Sequence, residues 1–167
     1  SRFFSKNMEA LQKVHPELAT DIQKTKPSKY TVQKRQTKGG YFLDLCIDGA
    51  CYMWQHTKTK SIPSKKGLLF LGAGNGHVCL QYLKKYPSLK IVIWDCEIER
   101  LHLLLQFSDM STYIEQNRLK IIFGVELFSF QGLYHKKHIV TCTLPMLKEL
   151  GQGIQFLKLF HMQQWKG

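Results

Sequence analysis

The fold is decided by residues 68–76, which read Leu-Leu-Phe-Leu-Gly-Ala-Gly-Asn-Gly. Four consecutive apolar residues predict a buried strand of a parallel sheet, and the three alternating glycines predict a turn that other groups can approach closely. The segment His77–Tyr86 has the apolar spacing of a helix, and a second apolar run, residues 90–95, ends in Asp95. This order of strand, glycine turn, helix, strand and acid predicts a Rossmann-like βαβ unit of the nucleotide-binding type.

The glycine spacing distinguishes the candidate ligands. A dinucleotide fingerprint, G-x-G-x-x-G, places its third glycine one residue later than Gly76. The shorter spacing is more typical of S-adenosylmethionine sites, in which Asp95 would hydrogen-bond a ribose. In the alternative, the glycines only make a tight strand-to-helix turn and Asp95 only caps a helix. The predicted cofactor-binding residues are Gly72, Gly74, Asn75, Gly76, Asp95 and Glu97.

Motifs for other chemistries are missing from the sequence. There is no G-x-S-x-G elbow, no H-E-x-x-H and no Walker lysine after the glycines, so the catalytic residues stay unknown. The five cysteines include no C-x-x-C pair, and we expect no metal site. Their odd number argues against a disulfide framework, although Cys46 and Cys51 flank the turn Asp48-Gly49 and would face each other across a hairpin. This cysteine usage fits a reducing cytoplasm.

Three regions follow one another along the chain. Residues 5–25 are predicted to form two helical pieces, and residues 29–57 alternate with a period of two around turns at Gly39-Gly40 and Asp48-Gly49, which predicts an antiparallel β-meander. Residues 67–167 read as the α/β part, with further strands at 119–123 and 138–143, a helical stretch at 125–134 and a final helix that begins at Pro145. We therefore expect an α/β protein with two domains, residues 1–62 and 67–167. The absent initiator Met and the unfinished tail predict a fragment of a longer chain.

The charge and hydropathy patterns limit the partners. The formal net charge is +12, but the basic residues are spread through turns and alternating strands, and no nucleic-acid-binding motif accompanies them. We therefore predict a solvated basic surface and no nucleic-acid partner. No apolar run approaches the ~20 residues of a membrane span, so we also expect none.

Several stretches together resemble the N-terminal part of one protein family. The chain looks like the motility accessory factor (Maf) family of flagellin glycosyltransferases, which begins with a similar N-hydrophobic-E-A-L…P-E-L pattern and continues with a similar meander and glycine turn. The matching stretches are residues 4–18, the meander with Asp48-Gly49, and residues 70–76, 97–99, 107–111 and 118–122.

The resemblance implies a bacterial, cytoplasmic protein needed to attach nonulosonic acid sugars, of the pseudaminic or legionaminic type, to flagellin during flagellum assembly. The sugar-transferring domain of that family lies downstream of this region. The chain would then be an accessory domain whose partners are flagellin and the downstream glycosyltransferase domain. The alternative is a class I S-adenosylmethionine-dependent methyltransferase. Against it, Phe70 stands where those enzymes commonly have an acid, and the predicted strands are too few for their sheet.

Overall fold

The computed structural model describes residues 1–56 and 67–124 in full, and residues 137–140 as a backbone strand. Five helices and seven strands lie within these residues. In chain order they are α1 (Arg2–Val14), α2 (Pro16–Lys24), β1 (Thr31–Thr37), β2 (Gly40–Ile47), β3 (Ala50–Met53), β4 (Gly67–Leu71), α3 (His77–Lys85), β5 (Ile91–Asp95), α4 (Ile98–Phe107), α5 (Ser111–Glu115), β6 (Leu119–Phe123) and β7 (Lys137–Val140).

The first three strands form the predicted antiparallel meander, in the order β1-β2-β3. Strands β2 and β3 pair Ile47 with Ala50, which leaves Asp48 and Gly49 as a two-residue turn. Both turn residues have positive φ, 50° at Asp48 and 77° at Gly49, as a type I′ hairpin requires. The Asp-Gly pair therefore sets the register that places Cys46 directly opposite Cys51.

The remaining strands form a parallel sheet in the order β6-β5-β4-β7. The chain moves outward from β4 to β5 and β6 and then returns to the other side of β4, which is the crossover of a doubly wound sheet. The structure thus confirms the predicted class, an α/β fold in which a small antiparallel meander precedes a Rossmann-like βαβ region. Strand β5 is buried along its whole length, as the unbroken apolar run predicts.

One hydrophobic core joins the N-terminal helices to the parallel sheet. Leu11 of α1 and Ile22 of α2 are buried in the same cluster as Phe70 of β4 and Leu104 of α4. The sequence separates the two helices at Pro16, which occupies the first position of α2, where its missing N–H costs nothing. The proposed boundary between residues 62 and 67 falls outside the described residues and stays a prediction.

Some predicted elements also lie outside the described residues. These are the helical stretch at residues 125–134, the end of the fourth strand at residues 141–143, and the final helix that begins at Pro145. Among the helices that the structure describes, none combines the length and the apolar character that crossing a bilayer would require.

Candidate functional site

The glycine loop, residues 72–76, leads from the end of β4 into the first turn of α3. Gly72 and Gly76 have φ values of 88° and 85°, a region that side chains rarely adopt, so both positions require glycine. The Gly72 N–H donates to the carbonyl of Trp94 at 2.7 Å, which ties the loop to the end of β5. Gly76 is the N-cap residue of α3 and offers no side chain to its first turn.

The space next to two of the glycines is taken by the protein's own side chains. A Cβ atom on Gly74 would lie 2.8 Å from Nδ1 of His56. A Cβ atom on Gly76 would lie 2.6 Å from both Cε of Met110 and Oγ of Ser108. These glycines therefore permit internal packing, because no larger residue would fit against the groups that already touch them.

The end of the meander holds the glycine loop from one side. Trp54 is fully buried. Its indole Nε1–H donates to the Ala73 carbonyl at 2.8 Å, and the backbone carbonyl of Trp54 accepts from Asn75 N at 3.1 Å. His56 follows two residues later and packs its ring on Phe70. Burial lowers the pKa of His56 to about 4, so this imidazole is neutral at physiological pH.

Asp95, the predicted ribose ligand, lies at the end of β5 and is completely buried. Its carboxylate accepts from the backbone N–H of Ala73 at 2.8 Å and of Glu97 at 2.9 Å. Arg100 donates to both carboxylate oxygens, with Nη2 2.6 Å from Oδ1 and Nε 3.0 Å from Oδ2. Burial raises the pKa of the Asp95 carboxyl, and the Arg100 guanidinium and the two N–H groups oppose that rise.

The same charged cluster attaches the N-terminal region to α4. Arg100 is fully buried and also donates from Nη1 to the Tyr30 hydroxyl at 2.9 Å. The Glu99 carboxylate accepts from Ser28 N at 2.6 Å and from Lys29 N at 3.1 Å, and Glu97 pairs with the Lys29 ammonium at 3.1 Å. Glu97, Glu99 and Arg100 thus fix the segment between α2 and β1 through contacts with residues 28–30.

The structure brings the predicted site residues together. Internal groups already bond or crowd most of them, namely Gly72, Gly74, Gly76 and Asp95. The loop contacts Asp95 through Ala73 N, as a βαβ unit with this sequence predicts. A ribose could reach the carboxylate only if Arg100 withdrew. Cofactor binding by Gly72, Gly74, Asn75, Gly76, Asp95 and Glu97 stays a prediction.

Sequence reasoning missed the groups that occupy the site, namely Trp54, His56, Arg100 and Ser108. Arg100 is the one with a detectable signal, because a cation five residues after an acid that ends a strand falls in the first turn of the next helix.

The described cysteines form one disulfide, between Cys46 and Cys51. It crosses the β2–β3 hairpin, so the odd cysteine count coexists with one bridge, although not with a framework of several. Cys79 and Cys96 carry thiols, and burial raises the pKa of the Cys79 thiol. In the part of the chain that the structure describes, no three His, Cys, Asp or Glu side chains converge as metal ligands.

No protein-family model matches the sequence. A comparison with curated proteins likewise finds no match.

Proposed function

We propose that this chain is an N-terminal accessory domain of a bacterial motility-associated glycosyltransferase that modifies flagellin with nonulosonic acid sugars. The sequence resemblance to the Maf family supports this proposal. The observation that carries the accessory role is the internal saturation of Asp95, whose carboxylate accepts from two backbone N–H groups and from Arg100 with no exposed surface. Because the Asp95 carboxylate is bonded within the protein, we infer that this βαβ unit serves as a scaffold and does not bind a ribose.

The proposed partners follow from the family resemblance. Flagellin and a glycosyltransferase domain downstream of this region would contact the accessory domain, and the complex would act in the cytoplasm. The catalytic step belongs to the downstream domain, so no residue of this chain is assigned a role in sugar transfer.

The proposal is tested by intact-mass measurement of flagellin. The region that encodes this chain is deleted in frame in the flagellated bacterium that carries the gene, and the deletion is complemented with the intact gene. We expect the deletion strain to be non-motile and its flagellin to lose the mass of the attached sugars, with both restored by complementation. Flagellin of unchanged mass in the deletion strain would refute the proposed role.

The methyltransferase alternative has one specific observation in its favour, which is the adjacency of the glycine loop and Asp95 through Ala73 N. A cofactor present at 100 times its dissociation constant would stabilise the fold by about 2.7 kcal/mol. We expect S-adenosylhomocysteine to leave the unfolding temperature unchanged, because Arg100 holds the carboxylate that would bind its ribose. A clear rise that Asp95→Ala abolishes would establish the methyltransferase instead.

A further inference from the structure

A cleft of 640 Å³ opens beside the glycine loop, and Asp95 is not among the residues that line it. It lies between the β1–β2 hairpin, the amino end of α3 and the segment that follows α4, and we call it the hairpin cleft. Tyr41 and Leu43 line it from the hairpin, Asn75 and His77 from the loop and α3, and Phe107 from the end of α4. Its volume is within the range of small-molecule sites in proteins.

Exposed aromatic rings are concentrated in the hairpin cleft. Phe3, Tyr41 and Phe107 all line it, and they are 42%, 57% and 39% exposed. Phe107 is fixed by an edge contact with Trp54 at 5.5 Å between ring centroids. Large exposed aromatic residues on several sides of one cleft are suited to a planar aromatic ligand, whose faces they can cover.

Asn75 supplies a hydrogen-bond donor that the described residues leave unused. Its Oδ1 accepts from His77 N at 2.9 Å, which fixes the orientation of the amide and identifies the other atom as Nδ2. Asn75 is only 7% exposed, and Nδ2 has no partner among the described residues. Nδ2 is not among the fully buried polar atoms that lack a partner, so it keeps some accessible surface. Because Asn75 lines the cleft, this surface faces the cleft. A donor held in this way is available to an acceptor on a ligand.

The electrostatics at this end of the cleft favour an anion. The nine-residue helix α3 begins at Gly76 without a side-chain cap, so its positive end and first-turn N–H groups are not neutralised by a carboxylate. Lys84 lies on the same face of α3 as His77 and lines the far end of the cleft. Asp109 is the acidic residue in the cleft lining. Its carboxylate is partly compensated, because it accepts from the Ser111 hydroxyl at 2.7 Å and lies 3.9 Å from the Lys6 ammonium.

From these observations we propose that the hairpin cleft binds an aromatic small molecule that carries an anionic group, the chemistry of a nucleoside monophosphate. The aromatic ring lies among Phe3, Tyr41 and Phe107. The anion accepts from Asn75 Nδ2 at the amino end of α3. Asp95 does not line the cleft, so this site shares Asn75 with the one that the glycine motif predicts but leaves Asp95 unused. It is independent of the role proposed above.

The test is isothermal titration calorimetry of the chain with four nucleoside 5′-monophosphates, the matching nucleosides, and inorganic phosphate. At least one nucleotide should bind, and its nucleoside should bind about tenfold more weakly or worse, since the anion contact is lost. No heat from any nucleotide at millimolar concentration, or equal affinity for nucleotide and nucleoside, would overturn the proposal.

Two matched variants locate the site. Asn75→Asp keeps the oxygen that accepts from His77 N but replaces the free donor with a negative charge, and we expect nucleotide affinity to fall at least about tenfold. Asn117→Asp makes the same substitution at a residue that lies outside the hairpin cleft and whose positive φ of 57° an aspartate also tolerates. The nucleotide affinity of the Asn117→Asp variant should equal that of the unmodified chain. Equal losses in both variants, or none in Asn75→Asp, would place any binding elsewhere.

Discussion

At Asp95 and Arg100, two fully buried charges depend on each other. Removing one partner of such a pair leaves an uncompensated charge in the interior, which costs more than the pair itself contributes. We expect Arg100→Met to lower the free energy of unfolding by about 3–5 kcal/mol, as measured by urea denaturation. The control is Arg35→Met, which breaks a similar two-bond contact to Asp44 at the surface and should cost less than about 1 kcal/mol. Similar losses in both variants would contradict this account.

The buried imidazole of His56 makes stability depend on pH. Its pKa is about 4 in the folded chain, below the ordinary value of 6.5, so the unfolded state binds a proton first as the pH falls. Its stabilising contribution is complete above pH 6.5 and is lost progressively between pH 6.5 and 4. Between pH 7 and 5 we expect a loss of about 2 kcal/mol by urea denaturation, and a smaller loss in His56→Gln. Equal pH dependence in both proteins would exclude His56 as the cause.

At the turn between β4 and α3, a glycine is required for two reasons, which are a positive φ and the lack of space for a Cβ atom. Gly76 and Gly49 both have positive φ, but a Cβ on Gly76 would meet Ser108 and Met110, whereas one on Gly49 would meet nothing within 4 Å. Both alanine variants have the backbone strain of a positive φ. The difference between their losses in the free energy of unfolding therefore measures packing alone. We expect Gly76→Ala to destabilise the fold by about 1–3 kcal/mol more than Gly49→Ala in urea denaturation. Equal costs would mean that the turn relaxes away from Ser108.

The same elements show how much of the structure the sequence predicts. The period of two, the Asp48-Gly49 turn and the apolar runs of β4 and β5 are local patterns, and they correctly predict the meander and the βαβ unit. The contacts of Glu97 and Glu99 join these two residues to Ser28 and Lys29, about seventy positions earlier in the chain. No local pattern encodes such a contact. For this reason Glu97 could be predicted as a site residue, while its ion pair with Lys29 could not.

Over the whole molecule, the N-terminal region and the βαβ unit are joined by more than chain continuity. The helices α1 and α2 share the core of the parallel sheet, and Asn7, which is fully buried, donates to the carbonyls of Leu105 and Ser108 and accepts from Met110 N. Trp54, which follows β3, donates to the Ala73 carbonyl, and Arg100 of α4 donates to the hydroxyl of Tyr30, which precedes β1. We therefore expect residues 1–56 and 67–124 to unfold in a single transition, with coincident urea midpoints by fluorescence and circular dichroism. Separate midpoints would show that the meander unfolds independently.

The disulfide between Cys46 and Cys51 connects the fold to the cellular compartment. The hairpin register places the two residues opposite each other whether or not the bridge forms, so the surrounding redox poise decides its state. The proposed cytoplasmic location therefore predicts a reduced pair in the cell, which oxidises after lysis in air. Intact cells are quenched with acid to stop thiol exchange, and the denatured protein is then alkylated at neutral pH, where the thiolate reacts. Peptide mass spectrometry should find both thiols modified. As an internal control, Cys96, which carries a thiol in the structure, should be modified in either compartment once the protein is unfolded. A Cys46–Cys51 pair that resists alkylation until a reductant is added would place the protein in an oxidising compartment and contradict the proposed location.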